Sequence, residues 1–406
     1  MVLMTRRQVP RWSDLQPMIG VRRPSLDLTG ARLARAVTIE DMVRLARRRA
    51  PRAVFDYVDG AAESETSLAR ARETFERLEF RPQILQDVSA LSTETQILGR
   101  PSALPVSFAP TGFTRLMHQE GEVAVARVAQ RRGIPYAVST LGTSTPEAVA
   151  SAAPDARLWF QLYVWRDRKA AEDLMARAGA AGYEALVLTV DVPVAGARHR
   201  DSRNGLSVPP ALSVRTLADI ARHPAWWVDV LTTEAIDFAA LTGWDGTIGE
   251  KLNALFDPSM TLADLDWIRA HWSKPLIVKG IQTVEDARAV VAAGADAVVL
   301  SNHGGRQLDR APVPVRLLPE VRQALGTDTE IIVDSGIRSG ADIVAALALG
   351  ADSTLVGRAY LYGLMAAGER GVNRVVEILT GEIRRTMALL GASSVTDLSE
   401  RHVRMP

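Results

Sequence analysis

From residue 104 onward, short apolar runs alternate with segments of helical periodicity, and this alternation restricts the fold more than any other feature of the chain. Apolar runs of about four to six residues are typical of parallel strands buried on both faces, with helices as the connections. Eight such runs, nearly all followed by a helix, favour a closed (β/α)8 TIM barrel, an α/β fold, over an open doubly wound sheet. The predicted strands are 105–109, 136–139, 159–163, 185–190, 276–279, 297–300, 330–333 and 353–356.

Helices are predicted between these strands and at both ends of the barrel. Thr38 precedes an apolar stripe with acids in its first turn, which predicts a capped helix over 38–49. Further N-terminal helices over 51–58 and 61–77 would form a cover, and an amphipathic helix over 372–390 would close the chain. The connecting helices are predicted over 120–132, 168–181, 284–293 and 340–348.

Two segments fall outside the repeating pattern. Residues 1–37 are basic and weakly periodic, which predicts an extended N-terminal arm before a barrel domain over 38–406. About 85 residues separate the fourth and fifth strands, so we expect an insertion over 192–275 on the active face of the barrel. It would serve as a lid or as a packing surface between subunits. Trp226 and Trp227 within it could instead lie at a membrane interface.

Composition excludes several classes of protein. An apolar content of 47% with 23% charged residues is typical of a soluble globular protein, and a net charge of +1 gives no support for nucleic-acid binding. The absence of cysteine excludes thiolate nucleophiles and cysteine-ligated metals. No stretch is typical of a signal peptide or a membrane span, so we expect a cytoplasmic protein, with contact to the inner face of the membrane as an open alternative.

Hydrogen-bonding residues follow all eight predicted strands, and a barrel brings the C-terminal ends of its strands to one face. The densest group is the segment 301–307, in which Ser301, His303 and Arg306 surround a pair of glycines. A base, a close backbone approach and an anion-binding guanidinium would then stand side by side. Taken alone, the same segment could be an ordinary loop with a structural histidine.

The ends of the last two strands predict a phosphate site. Asp334-Ser335-Gly336-Ile337-Arg338 opens a helix and Gly357-Arg358 follows the eighth strand, where barrels commonly bind phosphate with a helix N-terminus. No glycine-rich dinucleotide motif follows the first strand, which argues against a Rossmann cofactor. Ser139, Gln161 and Thr189 could bind a polar heterocycle, so flavin mononucleotide (FMN) fits the layout.

With these motifs together, the chain resembles the FMN-dependent L-2-hydroxy acid dehydrogenases and oxidases, the glycolate oxidase-like family, over roughly residues 38–404. Segment 301–307 is the most specific match, and segment 196–201 is similar to the loop after strand four in bacterial L-lactate dehydrogenases. Supporting matches are Phe55-Asp56-Tyr57, Ala109-Pro110-Thr111-Gly112, Gln161-Leu162-Tyr163, Thr189-Val190-Asp191, Val278-Lys279-Gly280 and 334–338.

The resemblance implies a role for each matching residue. His303 would take a proton from the substrate, from either its α-carbon or its hydroxyl, with Asp191 orienting the imidazole and Tyr163 assisting. Tyr57, Tyr163, Arg198, His303 and Arg306 would bind the substrate, the arginines through its carboxylate. The residues expected to bind FMN are Pro110, Thr111, Gly112, Ser139, Gln161, Thr189, Lys279, Ser301, Asp334, Gly336, Arg338, Gly357 and Arg358, with no metal.

The expected reaction is oxidation of a small L-2-hydroxy acid, above all L-lactate, with electrons leaving to a quinone, a cytochrome or oxygen. His118 is the first histidine, so we expect no N-terminal haem domain with paired axial histidines. Leu141 stands where the glycolate oxidase pattern has a tryptophan, and Gly112 where oxidases have alanine, which favours a lactate dehydrogenase. The resemblance also implies a homotetramer. An oxygen-using 2-hydroxy acid oxidase, an isoprenoid diphosphate isomerase and a non-catalytic barrel are the alternatives.

Overall fold

The computed structural model describes residues 9–16, 26–205, 213–239 and 256–405. The chain divides into two compact units, Met1–Ala36 and Val37–Pro406. The first contains helices α1 (Trp12–Leu15) and α2 (Leu28–Arg35). The expectation of an extended arm is therefore wrong for α2, which Asp27 caps by accepting a hydrogen bond from the Gly30 amide. Residues 1–8 and 17–25 of the predicted arm, which include the basic Arg22 and Arg23, lie outside the described residues.

Eight parallel strands close into a barrel in the second unit, as the alternating pattern predicts. Each strand pairs with its neighbours along the chain, and β8 pairs with β1 to complete the circle. All predicted strands occur, with ends within two residues of the predicted ones. They are β1 (Val106–Phe108), β2 (Tyr136–Ser139), β3 (Leu158–Leu162), β4 (Ala185–Thr189), β5 (Leu276–Ile281), β6 (Ala297–Leu300), β7 (Glu330–Val333) and β8 (Ser353–Val356).

Helices surround the barrel and cover its C-terminal face. The connecting helices are α7 (Gly121–Arg132), α8 (Pro146–Ala152), α9 (Arg168–Ala180), α14 (Val284–Ala292), α15 (Pro314–Leu325) and α16 (Gly340–Ala348). The others are α3 (Ile39–Arg49), α4 (Arg52–Asp59), α5 (Thr66–Arg77), α6 (Thr114–Met117), α10 (His199–Arg203), α11 (Val214–Ala221), α12 (Pro224–Leu231), α13 (Asp264–His271) and α17 (Arg358–Leu390), the last broken at Ala367 and Gly368.

The barrel interior is filled by apolar side chains, and its N-terminal end is closed by a hairpin. Strands Thr95–Ile97 and Arg100–Ser102 form this hairpin, whose Ile97 is fully buried. Inside the barrel, the side chains of Trp159, Val187 and Ile332 belong to the same packed cluster as Ile97. Apolar packing therefore occupies this end of the barrel, and we expect chemistry at the opposite, C-terminal end.

One predicted helix begins later than its pattern indicates. Segment 61–77 is helical only from Thr66, because Glu63 and Glu65 adopt positive φ angles of 47° and 61°. The amides of Ala62 and Glu63 donate instead to the carbonyls of Gly305 and Ala197, which belong to distant loops. These long-range bonds override the local helical propensity and tie the N-terminal cover to the strand ends.

The insertion after β4 packs partly over the same cover. The Asp219 carboxylate accepts a hydrogen bond of 2.7 Å from the Arg52 amide, and Asp229 pairs with Arg49. Trp226 is 9% exposed and its indole N–H donates to the Leu116 carbonyl, so the expectation that Trp226 meets a membrane is wrong. Trp227 is half-buried. Residues 206–212 and 240–255 of the insertion, which include Pro209 and Pro210, lie outside the described residues.

Candidate active site

A cleft opens at the C-terminal ends of the barrel strands, beneath the N-terminal helical cover. Most of the predicted site residues line it, namely Tyr57, Pro110, Thr111, Gly112, Ser139, Tyr163, Arg198, Lys279, His303, Arg306, Asp334, Gly336, Arg338, Gly357 and Arg358. Gln161, Thr189, Asp191 and Ser301 lie behind this wall and hold its members. Residues spread over three hundred positions of sequence are thus brought together by the closure of the barrel.

His303 and Asp191 form a partly buried pair at the edge of the cleft. The imidazole Nδ1 lies 2.9 Å from Asp191 Oδ1, and the Asp191 side chain is only 3% exposed. Burial alone would raise the pKa of Asp191, but the neighbouring His303 and Lys279 hold it below its ordinary value. Because an ionised carboxylate can only accept, Nδ1 carries its hydrogen and Nε2 is left as the basic nitrogen.

The loop that carries His303 has an unusual backbone. His303, Gly304 and Gly305 adopt φ angles of 58°, 63° and 76°, so three successive residues are left-handed. A β-carbon on Gly305 would come within 2.9 Å of the Leu68 amide nitrogen, and one on Gly304 within 2.6 Å of Arg358 Nη1. The glycine pair is therefore required both by its conformation and by the close approach of α5 and Arg358.

Arg198 and Arg306 place two positive charges at the cleft. Arg306 Nη1 donates to the carbonyls of Tyr57 and Gly60, and its guanidinium lies over the Tyr57 ring at 4.9 Å. Burial lowers the pKa of Arg306 to about 10, and the charge of Arg198 acts in the same direction. Asp201 lies 3.5 Å from Arg198, and burial raises the pKa of this carboxyl. A bound anion would offset the remaining positive charge.

Tyr163 lies in the cleft wall beside these arginines. Burial raises the pKa of its phenol, and the negative charge of Asp191 acts in the same direction. The hydroxyl therefore stays protonated across the physiological range and can donate a hydrogen bond.

Lys279 is buried at the C-terminal end of β5 and faces two partners. Its Nζ donates to Ser301 Oγ at 2.9 Å and lies 3.2 Å from Asp334 Oδ2. An ammonium group carries three hydrogens, so one remains for a ligand in the cleft. On the next wall, Ser139 donates to Gln161 Oε1 at 3.0 Å, and Gln161 Nε2 donates to Thr189 at 3.1 Å. This chain fixes the amide orientation of Gln161.

Some of the amides at the two last strand ends already have acceptors. Asp342 accepts from the amides of Arg338 and Ser339, and Glu382 of α17 accepts from the amide of Gly340. The phosphate site predicted here stays a prediction, and it depends on donors other than these three amides. By contrast, α17 begins after Gly357 with no side-chain cap, so its first amides are the better anion donors.

Two further arginines hold the floor of the cleft. Arg358 donates from Nε to the Val58 carbonyl at 2.9 Å, from Nη2 to Gly60 at 2.8 Å and from Nη1 to Gly304 at 2.9 Å. These bonds fasten the end of α4 to the His303 loop. The guanidinium of Arg338 lies 3.2 Å from the Tyr362 hydroxyl.

Several residues at the site were not predicted from the sequence. Tyr362 donates to Asp59 at 2.8 Å, and Asp59 also pairs with Arg200, so both support the position of Arg338. Ser335 contacts the His303 loop through its hydroxyl. Tyr362 stands four residues after Arg358, one helical turn along α17, which is the only sequence signal that could have indicated it.

Residues 46–405 match the model of a protein family described as FMN-dependent dehydrogenase. The chain belongs to this family. A putative L-lactate dehydrogenase of Mycobacterium tuberculosis is 58% identical over 98% of this chain and 96% of that protein. An L-lactate dehydrogenase of Caulobacter vibrioides is 44% identical over 89% of this chain and 95% of that protein.

Solved structures give the same result. This FMN-dependent dehydrogenase is similar to the monotopic membrane protein (S)-mandelate dehydrogenase, with a TM-score of 0.88, 37% identity and coverage of 92% of this chain and 100% of that chain. A mandelate oxidase variant gives a TM-score of 0.79 at 40% identity, covering 91% and 99%. The family, the barrel fold, the FMN cofactor and the dehydrogenase class predicted from the sequence are thereby confirmed.

The cleft fits FMN on its own features. It offers the buried Lys279 ammonium and, for a phosphate, the uncapped start of α17 together with Arg338. A β-carbon on Gly336, at a φ of 93°, would come within 3.0 Å of the Ala71 β-carbon. Within the described ranges, no helix is long and apolar enough to cross a membrane.

Proposed function

We propose that this FMN-dependent dehydrogenase oxidises L-lactate to pyruvate and passes the electrons to a quinone or another carrier. One observation carries the proposal: His303, whose Nδ1 lies 2.9 Å from Asp191 Oδ1, lines the same cleft as Arg198 and Arg306. The positive charges of these arginines are complementary to the carboxylate of a 2-hydroxy acid. Relatives named L-lactate dehydrogenase, 44–58% identical over most of their length, support lactate as the substrate.

In this proposal, the arginines and tyrosines orient the substrate. Arg198 and Arg306 bind its carboxylate. Burial of the Arg306 guanidinium and the nearby charge of Arg198 both lower the pKa of Arg306, and an anion bound there would offset both effects. Tyr57 and Tyr163 donate hydrogen bonds to the carboxylate or the hydroxyl. C2 of the substrate, the carbon that carries the hydroxyl, is then held near His303.

His303 removes a proton from the bound substrate through Nε2, because Nδ1 is engaged by Asp191. Asp191 stabilises the imidazolium that results, since its carboxylate remains ionised. Bound FMN supplies the acceptor for the two electrons that leave the substrate. Lys279 supplies a buried positive charge on the cofactor side of the cleft.

The remaining sequence-predicted cofactor contacts are proposed as follows. Ser139, Gln161 and Thr189 form one hydrogen-bonded row for the flavin ring, and Pro110, Thr111 and Gly112 line its opposite wall. Gly357 and Arg338 take the phosphate. Arg358 supports this end through its carbonyl contacts.

A substrate panel tests the proposal. The purified holoenzyme is mixed anaerobically with L- and D-lactate, L-mandelate and glycolate, and bleaching of the flavin absorbance is followed. We expect L-lactate to bleach the flavin fastest and D-lactate not at all. Bleaching by L-mandelate but not by L-lactate would overturn the substrate assignment.

An oxygen-using oxidase that releases hydrogen peroxide is the second candidate, which the similarity to a mandelate oxidase favours. Admitting air to the bleached enzyme separates the two. The dehydrogenase assignment requires slow reoxidation in air and rapid reoxidation by a soluble quinone. Rapid reoxidation with stoichiometric peroxide would contradict it.

We also propose a homotetramer at the cytoplasmic face of the membrane, in peripheral contact with it. A monotopic membrane protein is among the structural neighbours, and Val214, Leu217 and Leu231 of the insertion are 84%, 51% and 74% exposed. Co-sedimentation with lipid vesicles should fall for Leu217→Glu with Leu231→Glu. A control is Ile84→Glu, at a 78% exposed position outside the insertion. Light scattering tests the tetramer.

A further inference from the structure

Ser335 stands between the His303 loop and the ion pair on the cofactor side of the cleft. Its Oγ accepts from the Gly304 amide at 3.0 Å and from the Asn302 amide at 3.3 Å, and donates to Asp334 Oδ1 at 2.6 Å. A serine hydroxyl has one hydrogen and two lone pairs, so these three bonds use its full capacity.

The backbone of Ser335 would suit glycine better than serine. Its φ is 70°, in the left-handed region, and the residue is 8% exposed. A β-carbon in this conformation costs about 1 kcal/mol or more relative to glycine. The hydroxyl is the one side-chain atom of Ser335 that can form hydrogen bonds, and its three bonds help to offset this cost.

A second serine completes a closed ring of contacts. Ser301 Oγ accepts from the His303 amide at 3.0 Å and from Lys279 Nζ at 2.9 Å, and Lys279 Nζ lies 3.2 Å from Asp334 Oδ2. Three successive amides of the loop are therefore held by two hydroxyls. Each hydroxyl also bonds one member of the Lys279–Asp334 pair.

We propose that Ser335 is a positioning residue that couples the backbone carrying the base to the charge pair beside the flavin. The proposal rests on the assignment of His303 as the base in the proposed function. Through the amides of Asn302 and Gly304, the hydroxyl fixes the left-handed loop and so the direction of the imidazole. Through Asp334, it sets how far the positive charge of Lys279 is neutralised.

The coupling has a consequence for the cofactor that does not depend on the substrate. Donation from Ser335 lowers the negative charge that Asp334 presents to Lys279. Without the hydroxyl, Asp334 would neutralise Lys279 more completely, and added negative charge on the flavin would be less well stabilised. Sulfite binding to the oxidised flavin and the flavin midpoint potential both measure this stabilisation.

The experiment compares Ser335→Ala and Ser335→Gly in the FMN-loaded enzyme. Both lose the hydroxyl, while glycine also relieves the backbone strain. We expect kcat with L-lactate to fall roughly 10- to 100-fold in both, with KM within threefold, because a small displacement of a catalytic group has effects of this size. Sulfite should bind about fivefold more weakly, and the midpoint potential should become more negative.

Ser353→Ala is the matched control. Ser353 is also a buried serine, on β8, but its hydroxyl has no hydrogen-bond partner among the described residues. Its loss should leave kcat, sulfite affinity and potential at wild-type values. Wild-type kcat and wild-type potential in Ser335→Gly would overturn the proposal, since glycine would then replace serine fully.

The readouts separate this proposal from the proposed function. Sulfite titration needs no substrate, so a wild-type sulfite affinity in both variants overturns the coupling even if L-lactate is not oxidised. If the variants do not fold, hydrogen exchange of the wild-type holoenzyme decides. Strand-like protection of the Asn302 and Gly304 amides supports the proposal, and exchange at the rate of an exposed loop overturns it.

Discussion

The two ends of the barrel use the same kinds of residue in opposite ways. At the N-terminal end, Arg157 donates from all three guanidinium nitrogens, to Glu184, to the carbonyls of Arg100 and Pro101, and to that of Ile97. At the C-terminal end, the described residues provide hydrogen-bond acceptors to only one nitrogen of Arg306, Nη1.

The two arginines differ in how far the protein itself pairs their charge. Arg157 fastens the closing hairpin to the barrel, and its charge is paired with Glu184. Arg306 lies near a second arginine, and its pKa of about 10 records a buried positive charge that no carboxylate neutralises fully. The left-handed backbone of the His303 loop is also at this end.

The largest effect should come from the base. His303→Gln keeps the size of the side chain but removes the basic nitrogen, so kcat for L-lactate should fall at least about a thousandfold, or roughly 4 kcal/mol. The flavin spectrum should remain that of a fully loaded enzyme. Stopped-flow bleaching measures the rate, and turnover within tenfold of the wild type would show that His303 is not the base.

The same substitution, arginine to methionine, at one position of each end tests the comparison directly. Arg198→Met should raise KM for L-lactate about 10- to 100-fold with little loss of stability, because a charged hydrogen bond to the substrate is lost. Arg157→Met should leave KM unchanged but lower the free energy of unfolding by about 3 kcal/mol, since Glu184 would lose its buried partner. Unchanged substrate affinity in Arg198→Met would contradict its role.

Two glycines sharpen the same contrast. An alanine β-carbon at Gly112 would lie 2.7 Å from the Leu141 β-carbon, so Gly112→Ala should cost about 2 kcal/mol through overcrowding and alter the reaction with oxygen. Adding Leu141→Ala should recover part of that cost. At the N-terminal end, Gly99→Ala meets no atom within 4 Å and should cost only about 1 kcal/mol, from its φ of 67°. Thermal unfolding and reoxidation rates measure these effects.

The smallest effect concerns stability at the N-terminal end as pH changes. Burial raises the pKa of Glu330 from 4.5 to about 7, while its carboxylate accepts a 2.7 Å bond from the Leu98 amide. The folded state therefore binds the proton more tightly, so the free energy of unfolding should fall as pH rises from about 4.5 to 7. Glu330→Gln should be more stable than the wild type by about 1–2 kcal/mol at pH 8 and equal to it at pH 5.

Kinetics provide the control for this last prediction. Because Glu330 lies at the opposite end from the cleft, kcat and KM for L-lactate should be unchanged in Glu330→Gln at every pH. A wild-type pH dependence of stability in the variant would show that another group is responsible.

The sequence predicted the barrel well because buried parallel strands leave a strong local signal. Strands over 136–139 and 297–300 match the predicted bounds, and no strand end differs by more than two residues. Predictions failed where distant contacts decided the outcome. The helix predicted over 61–77 begins only at Thr66, because the amides of Ala62 and Glu63 donate to the carbonyls of Gly305 and Ala197 in distant loops.

By itself, the sequence determined the residue types available for chemistry and the strand ends on which they stand. It predicted His303, Asp191 and the two arginines as site residues, because motif and strand order are local or sequential properties. Only the tertiary structure decided which donors are already used. Arg358 donates to three carbonyls. Ser335 accepts from two amides and donates to Asp334. A hydrogen bond between residues far apart in sequence depends on distances that only the closed barrel sets.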